Sequence, residues 1–336
     1  MKAKGENRTA NGSERAARFR NAECGLRISD CKDSAAPIVP QSAIRIPKSS
    51  HPLLLAVLLL LPFALACDSD GRSAEPRISP DTARRELFLR GYSYREDVFL
   101  DSAKDGEPVG VKLFVLAGMS PEIRNEQGET PLLLTARFDR AKAARALLEA
   151  GADVNARDRL GVTPLMRAVL NASVETVKTY VEFKPNLNAK TTDPEAPGST
   201  ALMYAVAKNR PEVVDLLLDA GADVNLSDAV FGTALTWAAY YNRDDIAARL
   251  LERGADPNFV NPEGDTALMF AAARGSTRLV QSLLEHGADA AAKNREGKTV
   301  LKWAEGRPEV VKLIQDAATA KKKGVAANDN TQMNGR

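Results

Sequence analysis

Apolar residues along this chain fall into short paired clusters. Leu132, Leu133, Leu134 and Ala136 make one. After a polar turn around Asp139, Leu147 and Leu148 close a second that runs from Lys142 to Glu149. Each cluster has the spacing of one apolar helix side. Thr130 and Pro131 stand just ahead of the first. A threonine before an apolar run can accept from free helix amides, and proline suits the first turn. Gly151 falls where the second helix ends and the chain needs a residue tolerant of positive φ. Ala152-Asp153-Val154-Asn155 then leads into an extended turn. The pattern predicts helix, turn, helix and a β-like finger.

This unit recurs. A Gly-x-Thr-x-Leu step returns at Thr130, Thr163, Thr200, Thr233, Thr266 and Thr299; four of the five gaps are 33 residues and the gap from Thr163 to Thr200 is 37. Gly-Ala-Asp returns in the same phase at Gly151, Gly221, Gly254 and Gly287. Two anchors in one phase predict a stack of like units. One unit cannot bury its apolar side alone, so stability is shared between each repeat and its neighbours. The expected fold is an all-α repeat solenoid over residues 97–318, with six to seven repeats of which the first and last are atypical. Phe99 to Asn125 reads as a first repeat without the Thr-Pro step, and Asn294 to Ala317 as a shortened last one.

The segments GETPLLLTA at Gly128, GVTPLMRAV at Gly161, GSTALMYAV at Gly198 and GDTALMFAA at Gly264, with EAGADVN, DAGADVN and ERGADPN, resemble the ankyrin repeat family. The resemblance implies a non-catalytic surface that binds protein. There are departures. The family often has a histidine after Thr-Pro-Leu that cross-links neighbouring loops. That slot here holds Leu133, Met166, Met203, Thr236, Met269 and Lys302, so packing must substitute. Lys184 replaces one repeat-closing glycine, and Phe231 takes a finger-glycine slot with Gly232 displaced by one. The Pro-rich insert TTDPEAPG precedes Thr200, so 183–200 is expected to be the least regular and least stable stretch.

In this family partners contact the finger tips and the exposed side of the first helix. Carried over slot by slot, this selects Arg137 and Phe138, Leu160, Tyr240 and Tyr241, and Arg274, with Phe183 in the slot before the closing glycine. Aromatic and arginine groups commonly anchor interfaces. The expected binding face centres on the second to fourth full repeats, and each of these residues has packing against a neighbouring finger as its alternative role. Trp237 and Phe270, one turn earlier, read as packing between repeats.

A second signal lies upstream. Leu53 to Ala66, LLLAVLLLLPFALA, is apolar for 14 residues, follows Arg45 and Lys48, and ends at Cys67. A membrane span needs about 20 residues. A basic region, a short apolar core and small residues before a cut have the layout of a secretory signal. The window Phe63-Ala-Leu-Ala-Cys67 resembles a bacterial lipobox, although Ala64 and Leu65 exchange the usual preferences. Cleavage there leaves a mature chain whose single cysteine, Cys67, is its first residue and the site of lipidation; Cys24 and Cys31 are lost. The alternative is ordinary cleavage after Ala66 and a soluble periplasmic protein. Asp68 resembles the inner-membrane retention signal of proteobacterial lipoproteins. The expected organisation is thus a leader over 1–52 with a start misplaced upstream, a signal core over 53–66, a lipidation site and linker over 67–80, a capping helix over 81–96, the repeats, and a disordered basic tail over 319–336.

Composition adds exclusions. A net charge of +2 gives no field for nucleic acid. Of two histidines only His286 follows Cys67, so no Ser-His-Asp or Cys-His set can be assembled and no Cys/His metal spacing exists. No phosphate-cradling glycine motif occurs. Asp153, Asp223, Asp256 and Asp289 share one repeat slot and read as turn residues. No cofactor, metal, nucleic acid or small-molecule substrate is expected. The sequence-level reading is a non-catalytic module for an unidentified protein, lipid-anchored on the periplasmic side of a membrane, with an immunity or inhibitor protein against a secreted toxin as the second reading.

Overall fold

The computed structural model describes residues 78–319. The leader, the apolar run, Cys67 and the basic tail lie outside the described residues. Helix α1 (Pro80–Leu89) comes first, started by Ser79, whose hydroxyl accepts from the Thr82 amide at 3.2 Å. Seven helix pairs follow: α2 (Glu96–Asp105) with α3 (Pro108–Leu116), α4 (Pro131–Arg137) with α5 (Ala141–Glu149), and α6 (Pro164–Asn171) with α7 (Val174–Glu182). Then come α8 (Ala201–Ala207) with α9 (Pro211–Asp219), α10 (Ala234–Tyr240) with α11 (Asp244–Glu252), α12 (Ala267–Arg274) with α13 (Thr277–Glu285), and α14 (Val300–Trp303) with α15 over 308–319.

The first helix of each pair packs on the first helices of neighbouring pairs, giving an inner row; the second helices form an outer row, which α1 extends beyond α3. The apolar core is one continuous slab between the rows, from Ala83 and Leu87 of α1 to Val310 and Ile314 of α15. The architecture is an all-α solenoid. Among the described residues the fingers contribute only isolated bridges, such as Ser227 with Thr233 and Val260 with Thr266.

The inner helices begin as their sequence dictates. The hydroxyls of Thr130, Thr163, Thr200, Thr266 and Thr299 each accept from the amide three residues on. Those amides belong to the slot where the family often has histidine. Leu133, Met166, Met203 and Met269 fill it as buried apolar side chains, while Thr236 donates to its own helix at Thr233 C=O, 2.7 Å. The loop cross-links come from elsewhere. A chain of Asp and Asn side chains runs along the stack at the finger bases. Asp153 accepts from the Asn155 amide, Asn155 from Asn186, Asn186 from Asn188, and Asn188 from Asp223. Asp223, Asn225, Asp256 and Asn258 continue the series to Asp289. Asp153, Asp223 and Asp256, and Asn186 in the equivalent slot, close their own turns, while Asn155, Asn188, Asn225 and Asn258 bridge to the next repeat. The sequence identified the first role only.

The insert before Thr200 is irregular in length but tied at several points. Thr191 accepts from the Ser199 amide and donates to Ala196 C=O at 2.7 Å. The Thr192 amide reaches Leu160 C=O of one neighbouring finger, and Pro197 C=O accepts from the Ala229 amide of the other. The extra residues therefore bridge two fingers. Lys184 adopts φ +52°, the left-handed conformation that glycine takes in the equivalent turns.

Candidate functional site

The finger tips are set by one side chain each. Asn125, Asp158, Asp228, Asn261 and Asn294 accept from amides two and four residues on, as in Gln127 and Glu129 for Asn125. This fixes the tips relative to the inner helices, and both together form the candidate binding face. Leu160 stands on a tip and is 39% exposed. Arg137 ends α4, with its guanidinium 3.3 Å from the Glu129 carboxylate. Phe138 caps the same helix, half-buried, with Lys104 at 5.6 Å and Arg137 at 5.7 Å from its ring.

Tyr240, Tyr241 and Arg274 are brought into one cluster, organised by Trp237 and Phe270, which pack between repeats, and by Phe231 from the finger-glycine slot. Phe231 turns inward and sets its ring 4.3 Å from Tyr240 and 5.3 Å from Trp237. Tyr241 lies on Trp237 at 5.7 Å. Tyr240 meets Phe270 at 5.8 Å, and Phe270 meets Trp303 at 5.7 Å, so ring contacts cross three repeats. Arg274 lies over the Tyr240 ring at 5.0 Å. Two of the expected residues lie apart from the outward-facing set. Tyr240 is only 8% exposed, because Phe231 and Phe270 enclose it, so it packs the cluster while Tyr241 and Arg274 face outward. Phe183 caps α7 in the outer row beneath Arg145, 6.0 Å away, and does not join the inner-face residues.

A family profile described as ankyrin repeats (three copies) matches residues 99–191, 163–228 and 235–324, more than half of the chain. The chain belongs to the ankyrin repeat family. Among solved structures, the ankyrin repeat domain of Bcl-3, a unique member of the IkappaB protein family, is similar with a TM-score of 0.59 and 30% identity, over 65% of this chain and 97% of that one. The human ASB11 ankyrin repeat domain is similar with a TM-score of 0.56 and 25% identity, over 65% and 96% respectively. Comparison with curated protein sequences found no match. Ankyrin repeats are modules for protein–protein interaction.

Within this ankyrin stack one slot explains both polar and aromatic specialisation. Four residues after the anchor threonine stand Leu134, Arg167, Tyr204, Trp237, Phe270 and Trp303. At Arg167 the inner face carries a buried charge. Its guanidinium pairs with the Asp158 carboxylate and lies 3.9 Å from Glu129, all three side chains nearly inaccessible. Among the described residues no three His, Cys, Asp or Glu groups are placed to share a metal ion. His286 caps α13 with its ring 2.8 Å from Ser282 C=O, a helix-end contact.

Asp228 joins the finger to the aromatic cluster. One carboxylate oxygen accepts from the Val230, Phe231 and Gly232 amides, and the other from the Trp237 indole at 2.7 Å. Burial raises its pKa above the ordinary value of 3.8, and the hydrogen bonds only partly offset that. Its contribution to stability therefore falls as pH rises from the unfolded value through the raised folded one. Removing the indole donor in Trp237→Phe should move the Asp228 titration higher still, as read by carboxyl-carbon NMR. The stability gap to wild type should then shrink as pH falls through that range; an unchanged titration would show that the indole bond does not influence the carboxylate.

Proposed function

We propose that this protein is a non-catalytic ankyrin module displayed on the periplasmic side of a bacterial membrane through a lipidated Cys67, where its inner face captures a protein. The observation carrying the binding part is the arrangement at the inner-helix ends. Tyr241 and Arg274 stand partly or fully open on the buried rings of Trp237 and Tyr240, and Phe138 stands partly open beside Lys104 and Arg137. Rigid aromatic and arginine groups on an ordered support suit interface anchoring. Leu160 extends the same surface at a finger tip.

The tether is supported by the apolar run 53–66 ending at Cys67, and by that cysteine being the only one after the cut. Acyl chains hold a protein to a bilayer with about 0.8 kcal/mol per buried CH₂, so two or more anchor firmly. Ile78 lies eleven positions after Cys67, a reach of up to about 40 Å when extended. The inner face would thus be presented close to the membrane yet free to meet a partner.

The test is expression of the full chain and of Cys67→Ser in a Gram-negative host, with fractionation and intact-mass measurement. Acylated wild type in the membrane fraction and a non-acylated variant outside it are expected. Wild type cut after Ala66 and recovered from the soluble periplasm would replace the tether with simple export.

A further inference from the structure

Repeat stacks need terminal units with a polar outer face, since the last surface has no neighbour to cover it. The N-terminal end of this stack departs from that requirement. Helix α1 buries Ala83 and Leu87 against α3 but leaves Phe88 79% and Leu89 69% exposed. Ile78, Tyr94 and Val109 are exposed at the same end, whereas the other exposed large apolar side chains, Leu160, Val260 and Leu301, stand singly along the stack. Ile78 and Val109 also line a groove of about 700 Å³ on the outer helices together with Leu113 and Leu116, its charged lining being Lys112, Lys142 and Arg145 with Glu149 and Glu175. On α1, Arg85 lies one turn before Leu89 on the same side.

We infer that this end of the stack is a membrane-seating surface, with Phe88 and Leu89 entering the headgroup–acyl boundary of the bilayer that holds Cys67. This rests on the tether proposed above. The occupant follows from the chain's path. Ile78 is both part of the exposed apolar set and the point where the chain leaves toward Cys67, eleven residues away. A lipid on Cys67 keeps this end within about 40 Å of the bilayer, so the exposed side chains meet lipid at high local concentration. Bulky apolar residues with interleaved cations are the composition of an interfacial contact. Seating this end places the repeat axis away from the membrane and leaves the inner face of the later repeats, with Tyr241 and Arg274, open.

The experiment uses the full chain with Cys24→Ser and Cys31→Ser, acylated in cells and reconstituted into phosphatidylethanolamine–phosphatidylglycerol vesicles. An environment-sensitive NBD label is placed at Phe88→Cys, or at Lys312→Cys on the far end as a control. The expected result is blue-shifted emission at 88 that brominated acyl chains quench several-fold more strongly than at 312. The acyl mass on Cys67 is read from the same sample. Acylated protein with a water-like, unquenched label at 88 overturns the seating and leaves the tether intact. A label at 88 shielded from water but untouched by brominated lipid overturns it in favour of a protein cover, either a second copy or the upstream chain. Absence of the acyl mass overturns the tether and the seating with it. Leu89→Ser in the acylated, 88-labelled protein checks the neighbouring side chain: it should lower the brominated-lipid quenching several-fold, and unchanged quenching would overturn its part in the seating.

Discussion

Replacing Trp237 with alanine will destabilise the stack by about 3–5 kcal/mol, the range for removing a large buried aromatic side chain. Trp237 is 1% exposed, and Phe231 and Tyr241 pack on its ring. The substitution opens a cavity beneath both and leaves one Asp228 carboxylate oxygen without its indole donor. A buried acceptor stripped of its partner adds about 1–3 kcal/mol of desolvation cost, part of which the raised Asp228 pKa can relieve by protonation at lower pH. In a solenoid the damage stays close to its origin. Hydrogen exchange should therefore quicken in α10, α11 and α12, with α4 and α5 nearly unchanged, while urea unfolding reports the total loss. A loss below about 1 kcal/mol would mean that the aromatic cluster does not hold these repeats together.

Arg167→Leu should cost a similar amount for a different reason. Leucine fits the slot, as Leu134 does one repeat earlier. The cost comes from the Asp158 carboxylate, which loses its buried cation; removing one partner of a buried pair destabilises by about 3–5 kcal/mol. Glu129 is less affected, since Arg137 and Asn125 still reach it. Asparagine fills the Asp158 slot in the fingers at Asn125, Asn261 and Asn294 and accepts the same turn amides. Arg167→Leu/Asp158→Asn should therefore recover most of the loss in the same urea titration. A double variant as unstable as the single one would show that the arginine contributes through its own packing rather than through charge balance.

These two sites show where sequence reading succeeds and where it stops. The helix pairs, their threonine starts and the positive-φ turns were legible because each repeat states them again in phase. The turn role of Asp153 and its equivalents was legible for the same reason. Contacts between repeats were harder. The asparagine bridges join residues about 31 positions apart, and a repeat slot filled by Asn carries no sign of which neighbour it serves. Phe231 looked like a defect in the finger-glycine slot. Only the path of its backbone, held by three amides on Asp228, turns the ring onto Tyr240 and converts an expected anchor into packing. Phe183, selected for the binding face from the slot before the closing glycine, caps a helix of the outer row, because that slot ends the second helix of its pair. Arg167 could have been flagged from its slot, where the five other repeats hold apolar or aromatic residues.

The central claim is that the inner face captures a protein, and site-specific photo-crosslinking in the envelope tests it most directly. Benzoylphenylalanine would replace Tyr241 on the inner face or Glu252 on the outer helix α11 in otherwise full-length protein. The account predicts one adduct of defined mass from position 241, reduced by Arg274→Ala, and none from 252. Adducts from 252 alone, or from both positions without discrimination, would contradict an inner-face binding site.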